Sequence, residues 1–359
     1  MDVSAKITGI TYTPFLCRDL EIFNIDFLEN ALLKSGSFIL DINKQGQVAI
    51  SWWVSPKRTR SYPYARVYDT LSFLGKRVTI IPIMKDEGKE GDRDFLQWDT
   101  ISLMSLLGVY TIISYYNDAE SSSRYKQKIT NQKFDMNHIK NEIYKLLSYK
   151  SDALHWNLDQ TDKVGEIAKK ALASYEEISK RLGVEMHSKE SAEHRIVELL
   201  KGKENFITLS RKLAEKAQNR EASTIQPKEH LVPNRKAKLT IDNFLGGRYY
   251  FTVDEIQIDK NTLYLIEGKH SKQSLIPSLD DIKDGLIKMV LFTNLKEVKI
   301  GDKEYSPIAV LKLTSEMEFS KERLNKSQLN QLRLLKQESE KNNFRIILDN
   351  LDLDNIDLI

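Results

Sequence analysis

At 359 residues, with 41% hydrophobic and 29% charged content, the chain has the balance of a globular protein long enough for two domains. No apolar run approaches a membrane span, and the N-terminus MDVSAKITGITYTPF lacks the features of a signal peptide, so a cytoplasmic protein with no membrane partner is expected. The lone Cys17 excludes an internal disulfide and reads as a packed small hydrophobe, the six histidines sit in no zinc pattern, and a net charge of +3 does not by itself announce a nucleic-acid partner.

Residues 1–116 read as an N-terminal mixed α/β domain. Within Phe38 to Trp53, the runs FILDI and QVAISWW flank Asn43-Lys44-Gln45-Gly46, which is hairpin chemistry. Arg77 to Met84 is a buried-strand candidate, with Pro82 arguing for an edge or a bulge there. A short helix from Asp99 to Leu107, capped by Asp99, precedes a strand from Val109 to Tyr116. Between these elements, Trp52 to Tyr68 alternates Lys57, Arg58, Arg60 and Arg66 with Trp52, Trp53, Tyr62, Tyr64 and Tyr68. Cations hold phosphates and aromatics stack on bases. Taken alone, the stretch reads slightly better as core aromatics around a cationic turn. The acidic group Lys85-Asp86-Glu87, Asp92 and Asp94 reads as a charged loop after a strand, with a degenerate second nuclease-like core as the lesser reading.

Residues 117–184 read as a polar linker and helical connector. Asn117 to Asn137 shows no apolar period; Asn137 to Ser148 and Thr161 to Leu182 then carry helical apolar faces, the second ended by Gly183. Residues 185–359 form the last predicted domain. It opens on a helix from Lys189 to Leu200 capped by Ser188. A basic window follows, 201–240, in which ten Lys or Arg stand against four Glu; Arg235, Lys236 and Lys238 close it next to the following strands. The bland reading of that window is a solvated helix face followed by a basic loop.

The densest chemistry lies in YYFTVDEIQIDKNTLYLIEGKH, Tyr249 to His270. A two-residue turn at Lys260-Asn261 pairs Ile258 with Leu263, Ile256 with Leu265 and Asp254 with Glu267, and the period of two sets Lys269 on the same face. Two adjacent strand carboxylates repel unless positive charge lies between them, and a divalent metal with hard oxygen ligands, Mg²⁺, is the simplest answer. Lys269 beside it would orient or help deprotonate a water and steady a phosphate. The plain alternative is a solvated, ion-paired surface. Against it, Ile256, Ile258, Leu263 and Leu265 share the face, as at the mouth of a cleft. Glu255 points the other way and Asp259 flanks the turn.

Asp254 followed by Glu267-Gly268-Lys269 resembles the PD-(D/E)XK nuclease superfamily, which includes most type II restriction endonucleases; Val253 stands where the pattern has Pro. The resemblance covers roughly residues 185–320 and implies that Asp254 and Glu267 ligate Mg²⁺, that the Gly268 carbonyl adds a third oxygen, and that Lys269 is the catalytic lysine. Downstream, Ser278 or Asp280 caps a helix with Ile282, Leu286, Met289 and Val290 on one face and Lys283 and Lys288 on another, followed by the strand Pro307 to Thr314. Strand, strand, helix, strand is the superfamily order. The expected fold is therefore α/β (α+β mixed), a PD-(D/E)XK-like mixed sheet flanked by helices beside a separate N-terminal α/β domain. Upstream, Glu193 and Glu198 are candidates for an additional carboxylate. A polar helix around Ser327 to Glu340, the run FRIIL and an acidic tail with Asp349, Asp352, Asp354 and Asp357 end the chain, the tail being either disordered or a cover for a sheet edge.

The function expected is a Mg²⁺-dependent endonuclease acting on double-stranded DNA, a type II site-specific restriction enzyme. By resemblance it would be a homodimer leaving 5′-phosphates, with a DNA methyltransferase acting on the same site as a possible partner. Joined to such a domain, the basic and aromatic N-terminal unit reads as a specificity domain that recognises duplex DNA. Three alternatives remain: a structure-specific or repair nuclease, a catalytically inactive nucleic-acid-binding protein of nuclease fold, and an interaction protein whose hairpin charges form a surface salt bridge.

Overall fold

The computed structural model describes residues 1–57, 61–188, 190–191, 193, 197, 203–223, 236–243 and 248–356. The protein is mixed α/β and divides into two compact units, Leu20–Lys212 and a discontinuous one made of Met1–Asp19 with Leu213–Ile359. The first strand, β1 (Asp2–Ile7), belongs to the discontinuous unit, with Val3, Ala5 and Ile7 turned inward. Among the described residues, no helix is long and apolar enough to cross a membrane.

The 20–212 unit begins with β2 (Ile22–Asn24), α1 (Leu28–Lys34), β3 (Ser37–Asp41), β4 (Gln47–Trp52) and α2 (Ser61–Tyr68). It continues through β5 (Lys76–Pro82), the hairpin β6 (Met84–Asp86) and β7 (Arg93–Phe95), α3 (Trp98–Leu106) and β8 (Val109–Ser114). A five-stranded sheet runs in the order β2-β3-β4-β5-β8. The β3–β4 hairpin is antiparallel, as its turn residues predict. Strand β5 is interior rather than at an edge, parallel to both β4 and β8. Pro82 is tolerated because it is the last residue of the strand. Asp99 lies inside α3 rather than capping it, since Gln97 occupies the cap position.

The polar stretch expected to be a linker is a hairpin, β9 (Tyr116–Ser121) with β10 (Ile129–Phe134). Its few apolar residues, Tyr116, Ala119, Ile129 and Phe134, are all buried, and the rings of Tyr116 and Phe134 stack at 4.4 Å. Next come α4 (Met136–Ser148), α5 (Ala153–Asp162) and α6 (Val164–Leu182), followed by Gly183 with left-handed φ +64°. The single helix expected from Thr161 is thus broken at Lys163. Arg181 of α6 holds Asp118 and the Ala119 carbonyl of β9. That contact explains why no boundary falls at 117 or 184 and why residues 117–184 belong to the first unit.

Side chains of α5 close the outer edge of β8. Asn157 accepts from the Thr111 N–H (2.6 Å) and donates to the Val109 carbonyl (3.0 Å), and the Trp156 indole donates to the Thr111 carbonyl (2.8 Å). They satisfy backbone groups that would otherwise recruit another strand.

After α7 (Lys203–Ser223) come β11 (Ala237–Asn243), β12 (Arg248–Val253), β13 (Glu255–Asp259) and β14 (Thr262–Ser271). The chain then forms α8 (Leu279–Phe292), β15 (Lys296–Ile300), β16 (Lys303–Ser315), α9 (Lys326–Asn342), β17 (Arg345–Leu348) and β18 (Leu351–Asp352). The strand path is β12-β11-β1-β15-β16-β14-β13, with β17 on β16 and β18 on β17. Strand β1 is parallel to β11 and antiparallel to β15, and β14, β16 and β17 are parallel neighbours. The two ends of the path, β12 and β13, are joined through Asp254 alone, so the sheet curls until its ends meet at that residue.

Helix α9 straps the segment after β1. Glu338, fully buried, accepts from the Tyr12 hydroxyl (2.7 Å) and from the N–H groups of Phe15 (2.9 Å) and Leu16 (3.2 Å). The acidic tail covers a sheet edge through β18; its Asp357, like most of the predicted helix 189–200 and the basic residues 224–235, lies outside the described residues.

Candidate active site

The hairpin register is the one the turn dictates. Ile256 faces Leu265, Ile258 faces Leu263, and Lys260 adopts the left-handed conformation (φ 54°) that closes the turn. Asp254 stands one step beyond the last ladder pair, opposite Glu267, and its Oδ2 accepts from the Gly268 N–H at 2.9 Å. Backbone of β14 therefore fixes one carboxylate while the side-chain alternation of the same strand aims Glu267 and Lys269 at the same face. On the opposite face Glu255 pairs with Gln257 (2.9 Å) and Lys312 (3.8 Å). Ile258 is 46% exposed, so the apolar stripe runs from solvent at the turn to full burial at Leu265 and Glu267.

Helix α8 lies over this face, capped by Ser278, whose hydroxyl accepts from the Asp281 N–H. It contributes two side chains that the sequence reading did not place in the site, Asp284 and Lys288. Lys288 Nζ is 2.6 Å from Glu267 Oε2, Lys269 Nζ is 2.9 Å from Glu267 Oε1, and Lys269 also donates to Asp284 Oδ2. Lys283 and Lys288, expected on a different face from the apolar one, are both turned in; Lys283 is 2% exposed. The spacing of Asp284 and Lys288, four apart on the helix after the Glu-Gly-Lys strand, was the available signal: an acid and a base on one face of an otherwise apolar helix.

Close approach of helix and strand depends on Gly285. A Cβ there would come within 2.6 Å of Leu311 Cδ1 and 3.3 Å of Lys269 Cε.

The cluster balances its own charge. Burial alone would raise the Glu267 carboxyl, but the ammonium groups of Lys269 and Lys288 overcome it and hold Glu267 down at about 2. Burial would depress both lysines; Glu267 with Asp284 raises Lys269, and Glu267 with Asp254 raises Lys288. Burial pushes Asp284 up, against the pull of Lys269. Among the described residues, no three His, Cys, Asp or Glu side chains form a ready-made metal cage. The donor chemistry nevertheless fits Mg²⁺, which takes one or two protein carboxylates and keeps its waters. Asp254 and Glu267 supply hard oxygens, and the two ammonium groups on Glu267 mark where positive charge is required. Cation entry would exchange for one lysine contact.

Beyond Lys269, an open cleft of ≈ 610 Å³ is lined by His270, Ser271 and Lys272 from the end of β14, by Ser278 and Asp281 at the start of α8, and by Gln331. Asp254, Glu267, Lys269, Asp284 and Lys288 are not among its lining residues; its far wall is the start of α9, Asn325 to Gln331.

The other predicted site residues are distributed as follows. Glu193 is an exposed residue of the 20–212 unit, and Glu198 lies outside the described residues. Arg58, Arg60 and Arg235 are likewise outside them. Tyr64 is a core residue, 9% exposed, edge-on to the buried Trp53. The Tyr62 hydroxyl accepts from the Ser55 N–H, and Arg66 stacks on Trp52 (4.4 Å) and Tyr62 (4.8 Å) while donating to the Trp52 carbonyl. Tyr64 and Arg66 are thus spent on the fold, which corrects the expectation that both contact DNA; Lys57 stays exposed, 3.7 Å from Asp94. Lys236 is half-buried just before β11, and Lys238, on β11, is 3.9 Å from Asp2. The acidic group after β5, expected as a charged loop, is a hairpin instead: Lys85 and the buried Asp86 lie on β6 and Asp94 on β7, and Glu87 is ion-paired with Lys85 (2.5 Å) and Lys128 (2.7 Å).

No protein-family model, curated protein or solved structure matches the chain.

Proposed function

We propose that the protein is a Mg²⁺-dependent endonuclease that hydrolyses phosphodiester bonds of double-stranded DNA, of the PD-(D/E)XK type and acting as a site-specific restriction enzyme. The observation that carries the reading is the convergence of Asp254, Glu267 and Lys269 on one buried sheet face. Buried ionisable groups are costly in a fold unless they serve a purpose, and a cluster of strongly shifted groups is a functional-site candidate.

When bound, Mg²⁺ would activate water and stabilise the charge that builds on the phosphate in flight. Asp254 and Glu267 would hold it, with the Gly268 carbonyl as the third protein oxygen. Lys269 would place its ammonium against a non-bridging phosphate oxygen and orient the attacking water. Lys288 would keep Glu267 in one rotamer. Lys272 at the cleft would accept the backbone of the strand leaving the site. The 20–212 unit would recognise DNA with Lys57 and with Arg58 and Arg60. A two-fold dimer is proposed because cutting both strands needs two such sites, and a methyltransferase of the same specificity is the proposed companion.

The test is incubation of purified protein with unmethylated, methylated and hydroxymethylated plasmid and phage DNA, in Mg²⁺ and in EDTA, beside Lys269→Ala. Discrete fragments that need Mg²⁺ and vanish in the variant are expected. Intact DNA throughout, or cutting that survives Lys269→Ala, would refute the proposal.

A further inference from the structure

Glu267 has two oxygens and both are taken, Oε1 by Lys269 (2.9 Å) and Oε2 by Lys288 (2.6 Å). A cation that uses Glu267 must therefore displace one ammonium group. The two lysines are not equally prepared for that. Lys288 has as its further hydrogen-bond acceptor the Thr252 carbonyl, at 3.4 Å, long for a hydrogen bond. Lys269 has a second carboxylate, Asp284, which accepts a charge-assisted hydrogen bond from the same nitrogen and is itself only 14% exposed.

We infer that Asp284 is a positioning residue for Lys269: it keeps the ammonium beside the reacting phosphate once Glu267 Oε1 passes to the metal, while Lys288 keeps Oε2. The inference rests on the nuclease reading for its chemistry, but the anchoring itself is a property of the chain. Without Asp284, Lys269 released from Glu267 would have no second carboxylate to hold it and its four-carbon stem would regain rotamer freedom. A lysine misplaced by about 1 Å costs on the order of 10²-fold in rate. Asp284 does not need to touch DNA, so affinity for DNA should not follow the rate.

Two readouts test it. In single-turnover cleavage, Asp284→Asn should fall about 10- to 100-fold, while DNA affinity measured in Ca²⁺ and the unfolding midpoint stay within twofold and within a few degrees; Asp284→Glu should recover part of the rate. By ¹⁵N NMR of the lysine ammonium groups, assigned with Lys269→Arg, the Lys269 signal should persist on addition of Mg²⁺ to the wild-type protein and be lost in Asp284→Asn. Wild-type rates in Asp284→Asn, or loss of the wild-type Lys269 signal in Mg²⁺, would each overturn the inference. If the wild-type protein cuts no DNA yet the ammonium signal behaves as stated, the anchoring stands and the nuclease reading falls.

Discussion

The Glu267–Lys288 contact allows a quantitative prediction. Holding the Glu267 carboxyl at about 2 instead of the ordinary 4.5, at about 1.4 kcal/mol per pH unit, corresponds to about 3 kcal/mol, already net of the cost of burial. Two lysines share that work. Lys288 is the nearer at 2.6 Å against 2.9 Å, and a hydrogen bond to a charged group contributes about 1.5–3 kcal/mol, so its share is about 2 kcal/mol. Lys288→Met keeps the stem and removes the charge. Lys269 remains on Glu267, so the loss stays below the full penalty of an orphaned buried carboxylate. In a unit of this size about 2 kcal/mol lowers the melting midpoint by about 4–8 °C. The assay is a double-mutant cycle of Lys288→Met with Glu267→Gln, in EDTA at pH 7. All four tryptophans, 52, 53, 98 and 156, lie in the 20–212 unit, so tryptophan fluorescence does not report on the site. Amide hydrogen exchange along α8 does. A coupling of about 2 kcal/mol is expected; additive effects within about 0.5 kcal/mol would show that the ion pair does not hold Glu267.

Gly285→Ala should gain about 1 kcal/mol in helix propensity but lose about 1–3 kcal/mol by overpacking against the buried Leu311. It should also cut cleavage more than stability, because the same Cβ pushes the Lys269 stem; equal rates and an equal melting midpoint would contradict the packing described. Asn157→Ala removes the partner of buried backbone groups on β8 and should cost about 2–4 kcal/mol, read by tryptophan fluorescence in urea, with aggregation of the variant through the bared edge. On acidification, the depressed carboxyls of Glu267 and Glu87, each near 2 when folded, are protonated in the unfolded chain first. The stability they supply is complete above pH 4.5 and disappears as pH falls towards 2. Loss of most of it between pH 7 and 5, by circular dichroism, would contradict that sign.

Much of the site was legible because a two-residue turn and a period of two leave no freedom: Lys260 fixes the register, and the register places Asp254, Glu267 and Lys269 together. The helix was legible too, but not which way Lys288 faces. Lys283 and Lys288 look like a solvated stripe in one dimension, and only the curled sheet against which α8 packs turns them inward. Polar residues 117–137 look like a linker because a hairpin held on one side by Arg181 needs only four buried apolar residues to stay folded. Aromatics and cations in Trp52 to Tyr68 look like a nucleic-acid surface because Arg66 stacking on Trp52 and Tyr62 has the same composition as an arginine waiting for a base. The place of β1 was not legible at all, since its partners Lys238 to Asn243 are remote in sequence and a short alternating strand carries no mark of its neighbour.

That placement has a consequence for biosynthesis. Strand β1 is translated long before its neighbours, yet it is an inner strand of the sheet, and its partners β11 and β15 begin only at residues 237 and 296. At about 5–20 residues per second, β1 waits roughly 10–50 s for its first partner. The 20–212 unit can complete itself on the ribosome in that interval. The sheet that carries Asp254, Glu267 and Lys269 is not complete until β1 has paired with β11 and β15. Synthesis interrupted before residue 237 therefore leaves β1 without its neighbours and the sheet that carries the Asp254–Glu267–Lys269 cluster unbuilt.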